Sequence, residues 1–111
     1  MSSPARLSQR CLLFAVIAGA SAAAAEPDGA ALFEQHCSPC HGPDGRARTP
    51  AARKLAVKDL TESHLADAEI SRQIALGSTD AKGRPRMPAF KPPLTDADVA
   101  ALVQFVKSLR K

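Results

Sequence analysis

Cys37-Ser38-Pro39-Cys40-His41 is the stretch on which the reading of this 111-residue chain turns. Two thiols separated by two residues, with an imidazole directly after the second, form the C-x-x-C-H pattern of c-type haem attachment. The chemistry explains the spacing. The thiols add to the two vinyl groups of haem, and the imidazole that follows falls beneath the iron. Rival uses of the same residues fit less well. A thioredoxin-like redox pair should follow a strand in a βαβ unit, and here the pair ends a helical pattern. A structural zinc site needs four ligands, commonly from a second paired motif, and the sequence has none. His36 and His64 stand at unsuitable spacings for that role. A plain disulfide leaves His41 without a purpose.

Composition points the same way. The chain has four Phe, no Trp and no Tyr. So short a chain buries a marginal core from its own side chains, which leaves room for a cofactor at its centre. The length supports one small domain. A formal charge of +4 without interleaved aromatics is a weak nucleic-acid signal, and no nucleic-acid partner is expected.

The partner ligand is sought by elimination. Beyond Met1 the chain holds one methionine, Met87, in Arg84-Pro85-Arg86-Met87-Pro88-Ala89-Phe90. A thioether favours reduced iron and raises the potential, and His/Met is an electron-transfer pairing. Core filling is the ordinary use of a lone Met. This one is flanked by Pro85 and Pro88, which restrict its backbone and pre-organise the segment. His64 is the remaining rival, and His36 should lie on the attachment side.

Three helices are predicted. The first runs from Asp28, an N-cap candidate, to about Cys37, with Leu32 and Phe33 apolar. The second spans about Ala66 to Leu76, capped by Asp67 or Ser63 and closed by Gly77. The third runs from Thr95 to Leu109. Thr95 and Asp98 suggest a capping box, and Val99, Leu102, Val103, Val106 and Leu109 form an apolar stripe. Between them lie two irregular stretches rich in Pro and Gly, Gly42 to about Asp59 and Ser78 to Leu94. No strand pattern of useful length is visible. The expectation is an all-α domain with long ordered loops.

The N-terminus reads as an address. Arg6 and Arg10 precede the apolar run Cys11 to Ala20, and small residues follow to Ala25. That is the plan of a secretory signal peptide, cleaved after Ala25, or after Ala23 or Ala24. An uncleaved anchor is the alternative, but the strongly apolar part falls short of the ~20 residues a span needs. The division is therefore residues 1–25, signal peptide, and 26–111, mature domain. Cys11 is discarded with the leader. Removing Arg6 and Arg10 from the 15 basic residues, with all 11 acidic ones retained, halves the charge to +2.

From Asp28 to Leu109 the chain resembles a class I cytochrome c, a small exported monohaem protein. The resemblance implies the cytochrome c-like fold, with three main helices and long loops wrapped around one covalently bound haem c. Cys37 and Cys40 then carry the thioethers, His41 is the proximal iron ligand and Met87 the distal one. The family packs a Gly and an aromatic of its first helix, here Gly29 and Phe33, against its last, where Leu102 and Phe105 are the counterparts. Both Phe residues are expected to be buried. A proline carbonyl after the motif should accept from the proximal imidazole, with Pro50 the candidate and Pro43 too close. Phe90 is the one aromatic available near the Met side, and Arg46, Arg48 or Arg53 would serve the haem propionates.

These features imply a periplasmic single-electron carrier, not an enzyme, because a His/Met iron has no open position. It would shuttle electrons between respiratory or dehydrogenase partners, with no stable membrane anchor. A basic ring of Lys82, Arg84, Arg86 and Lys91 would steer acidic redox partners, or be an ordinary solvated loop. A bound cytochrome subunit of one oxidoreductase is the alternative, and a five-coordinate ligand sensor the third reading.

Overall fold

The computed structural model describes residues 26–111. The signal peptide read from residues 1–25, with Cys11, lies outside them. Five helices run in the order α1 (Gly29–His36), α2 (Ser38–His41), α3 (Pro50–Leu55), α4 (Asp67–Leu76) and α5 (Asp96–Ser108). A 3-10 turn, Leu60–Glu62, precedes α4. Strands β1 (Ser78–Thr79) and β2 (Pro85–Met87) pair antiparallel between α4 and α5. The architecture is mainly helical, as the sequence implies.

Each main helix begins for a local reason. The Asp28 carboxylate accepts from the amides of Ala30 and Ala31, at 3.0 and 3.3 Å. These are two of the amides a helix start leaves unpaired. Thr95 and Asp98 form the expected capping box on α5, with reciprocal bonds of 3.1 and 2.9 Å. The cap of α4 differs from expectation. Ala66 holds the N-cap position, and the Glu69 carboxylate reaches back to its amide at 3.0 Å. Asp67 is already inside the helix, where its charge suits the positive end, and Ser63 accepts from Leu65 instead.

The core lies where α1 and α4 meet α5. Phe33 and Leu102 are the most deeply buried side chains, at 2% and 0% exposure. Ile70 and Ile74 of α4 meet the stripe Val99, Leu102, Val103 and Val106 of α5. Phe33 packs on Phe105 at a ring separation of 5.0 Å, within the range of favourable tilted pairs. Phe105 itself is only half-buried, contrary to expectation, because it sits at the edge of the crossing. Gly29 makes the crossing close. A Cβ there would lie 2.5 Å from the Ala101 carbonyl oxygen and 3.0 Å from the Phe105 Cβ.

Two irregular stretches hold more structure than the sequence pattern suggested. The first contains α3, which starts at Pro50 with Thr49 as its cap. Proline suits this first helical position because the missing amide would be unpaired anyway. The second contains the β1–β2 hairpin. Asp80 organises its turn by accepting from the amides of Lys82 and Arg84 at 2.9 and 3.0 Å, an Asx-type turn. So short a ladder has no room for an alternating pattern.

Candidate haem cleft

The thiol-bearing segment is built from one helical turn. Cys37 ends α1, its amide bonded to the Phe33 carbonyl at 2.8 Å. The Cys37 carbonyl then accepts from His41 at 2.9 Å and from Cys40 at 3.2 Å, which opens α2. Residues three apart on such a turn share a face, so both thiols are presented together. Gly42, at φ 79°, stops the turn.

The chain after Gly42 is tied back to this turn. Ala47 donates its amide to the His41 carbonyl at 2.8 Å, and the Thr49 hydroxyl donates to the Cys40 carbonyl at 2.8 Å. The same hydroxyl accepts from Ala52, capping α3. Thr49 thus fastens α3 to the motif, a role the sequence reading did not assign. Its signal was the Thr49-Pro50 pair, a helix start in its own right.

Cys37, His41 and Met87 line one cleft, with Phe33, Ile74 and Leu102 among its walls. It encloses about 590 Å³ of space, part of it open to solvent. Cys40 is half-buried on the adjoining turn, outside the lining. His64 is exposed and does not line the cleft. His36 packs edge-on against Phe90 at 6.1 Å, also outside it. Both histidine rivals to Met87 are therefore placed elsewhere.

Burial sets the chemistry of the donors. It pushes the Cys37 thiol up to about 11, with the neighbouring Cys40 adding to the effect. It pushes the His41 imidazole below its ordinary 6.5, which favours the neutral ring, the form that binds metal. His41 Nδ1 is buried and has no hydrogen-bond partner among the described residues. Pro50, expected to accept from it, does not. As the first residue of α3, its carbonyl points along the helix toward the amide four residues on. One thiol, a neutral imidazole, a thioether and apolar walls in the cleft, with the second thiol on the adjoining turn, together fit a flat apolar macrocycle carrying a metal.

The basic ring is partly neutralised. Arg84 pairs with Asp80 at 2.8 Å, and Lys91 pairs with Asp96. Arg86 donates to backbone carbonyls of Leu55 and Ala56. Lys82 forms no ion pair among the described residues. Arg46 stands 3.9 Å from Asp44 in a loose pair.

The fold and cleft define a c-type cytochrome domain. A family model for cytochrome c matches residues 27–110, and the chain belongs to that family. Membership implies covalently bound haem c. The chain is similar to the KustC0563 c-type cytochrome, with a TM-score of 0.67 and 32% identity. That match covers 77% of this chain and all of the other. A part of the Kuenenia stuttgartiensis reducing HAO-like protein complex Kustc0457/Kustc0458 shares the fold, with a TM-score of 0.61 at 24% identity. It covers 74% of this chain and 41% of that one. The fructose dehydrogenase cytochrome subunit of Gluconobacter japonicus is 33% identical over an 88-residue alignment that covers 73% of this chain. The match spans only 18% of that subunit's own length. No helix among the described residues is long and apolar enough to cross a membrane.

Proposed function

We propose that the mature chain is an exported single-haem electron carrier of the periplasm, in which His41 and Met87 would hold the haem iron. The observation that carries this reading is the convergence of Cys37, His41 and Met87 on one apolar cleft. Cys37 and Cys40 would hold the haem covalently, which retains it outside the cell membrane. The haem supplies reversible one-electron redox change at its iron. The chain does the rest. His41 offers a neutral nitrogen. Met87 offers a soft sulfur that favours the reduced state and raises the potential. Phe33, Ile74 and Leu102 supply apolar walls. With His41 and Met87 both holding the metal, no site would remain for a substrate, which would make the protein a carrier and not an enzyme.

Partners are redox proteins. The relative that forms a subunit of fructose dehydrogenase favours a second reading, in which this chain serves one dehydrogenase as its bound electron acceptor. Size-exclusion of the native extract separates the two. Docking at the ring rests on Lys82 and Arg86, whose charges have no acidic partner among the described residues, with Arg84 and Lys91 contributing less. Intact mass of protein made in a host that matures c-type cytochromes tests the main reading. The expected mass is that of residues 26–111 plus one haem, with attachment lost in the Cys37→Ser, Cys40→Ser double variant. Haem that extracts into acidified organic solvent from the wild type refutes covalent attachment.

A further inference from the structure

Met87 reaches the cleft from a three-residue strand, and the two sides of that strand are secured differently. After Met87, the chain lies against the end of α4. The Phe90 amide donates to the Ile74 carbonyl at 3.0 Å, and Gly77 lets the Met87 backbone pass in contact with it. Before Met87, the chain runs into a hairpin whose Asp80 bonds are internal to it. Arg86 links this side to a distant element. Its Nε donates to the Leu55 carbonyl at 3.2 Å, and its Nη2 donates to Leu55 and Ala56 at 3.0 and 2.8 Å.

The acceptors suit it. Leu55 and Ala56 end α3, where carbonyls lack an amide from a following turn. Ala56 turns out of the helix at φ 54°, which leaves both oxygens available. A cation at the negative end of a helix is favoured, and a planar guanidinium can span two carbonyls where an ammonium serves one. Because Thr49 fastens α3 to the Cys40 carbonyl, a continuous path runs from the thiol-bearing turn through α3 and Arg86 to Met87. It passes outside the cleft.

We infer that Arg86 is a positioning residue for Met87, holding the thioether in place by tying its strand to the end of α3. The inference rests on the proposed role of Met87 as an iron ligand. It assigns Arg86 a purpose in addition to partner steering, and it makes α3 part of the machinery that keeps competing ligands off the metal.

The test is an imidazole titration of the ferric holoprotein, followed by loss of the weak long-wavelength band that marks Met–ferric iron bonding. Arg86→Gln should bind imidazole about tenfold more tightly than wild type, a change of about 1.4 kcal/mol. Arg86→Lys should fall between them, since it keeps the charge and loses the fork. Arg84→Gln removes the same charge from the same hairpin and should match wild type within about twofold. Thr49→Val cuts the path at its other end without touching the hairpin. It should move affinity in the same direction as Arg86→Gln, which covers the case where Arg86→Gln does not fold. Equal imidazole affinity in wild type, Arg86→Gln and Thr49→Val, with the band present in all three, overturns the positioning role and leaves Met87 as ligand. A wild type that lacks the band refutes the ligand reading, and the positioning role falls with it.

Discussion

The thiol-bearing turn and the methionine strand serve the same cleft, but they are held in unlike ways. Residues 37–41 are fixed by bonds within one turn and by the α1–α5 crossing beneath it. Their geometry is a property of neighbours in sequence. Met87 is held by residues far away along the chain: Ile74 and Gly77 on one side, and Leu55 and Ala56 through Arg86 on the other. One side of the site is a local motif on a rigid crossing. The other is a loop whose position is the sum of several separate contacts. Local motifs survive the loss of any one distant contact, whereas a loop held this way yields in proportion to what is removed.

Substitutions can break or sharpen that contrast. Phe33→Ala has the largest expected effect, about 3–5 kcal/mol of stability, since it empties the centre of the crossing. Denaturant unfolding measures it, and the same variant should unfold the turn and the strand together. Gly77→Ala comes next. The backbone there has φ 70° and ψ −167°, a region open essentially to glycine alone, at a cost of about 1–3 kcal/mol for other residues. An added Cβ would also collide with the Met87 carbonyl oxygen. The expected signature is selective. The methyl resonance of Met87 in the ferrous protein, shifted by the macrocycle, should move or broaden while helix content is kept.

Gly29→Ala is the mirror test. It costs about 1–3 kcal/mol by forcing α1 and α5 apart, and it should lower the unfolding midpoint while leaving the Met87 resonance in place. If both glycine variants gave the same pattern, the contrast between the two sides would be gone. Asp80→Asn is the smallest. Bonds from the Arg84 amide, then its guanidinium, and from the Lys82 amide hold the Asp80 carboxyl below its ordinary 3.8. The folded state then binds that proton more weakly than the unfolded one. The stability it contributes is complete above pH 3.8 and is lost as the pH falls through the lower folded value. Asp80→Asn should flatten that part of the acid-unfolding curve and lower stability slightly near neutrality, where the wild-type carboxylate makes its full contribution.

The same contrast explains what could be read from the sequence. The Asp28 cap, the Thr95–Asp98 box and the stripe of α5 are all written within a few residues, and the structure places them as read. Gly29 beside α5 was available through family resemblance. Long-range features were not legible. Nothing within Pro50–Leu55 states that its last carbonyls receive Arg86, and nothing near Arg86 distinguishes it from Arg84. The expected Pro50–His41 bond failed for a related reason. The spacing allowed it, but the helix that Thr49 and Pro50 start turns that carbonyl along its own axis.

The ferric absorption spectrum of the wild type beside that of Met87→Ala decides whether Met87 binds the iron, with each protein's mass confirming one covalent haem. The wild type should show the weak long-wavelength band at neutral pH, and Met87→Ala should lack it. A wild type without the band, or a band that persists after Met87 is removed, would contradict it.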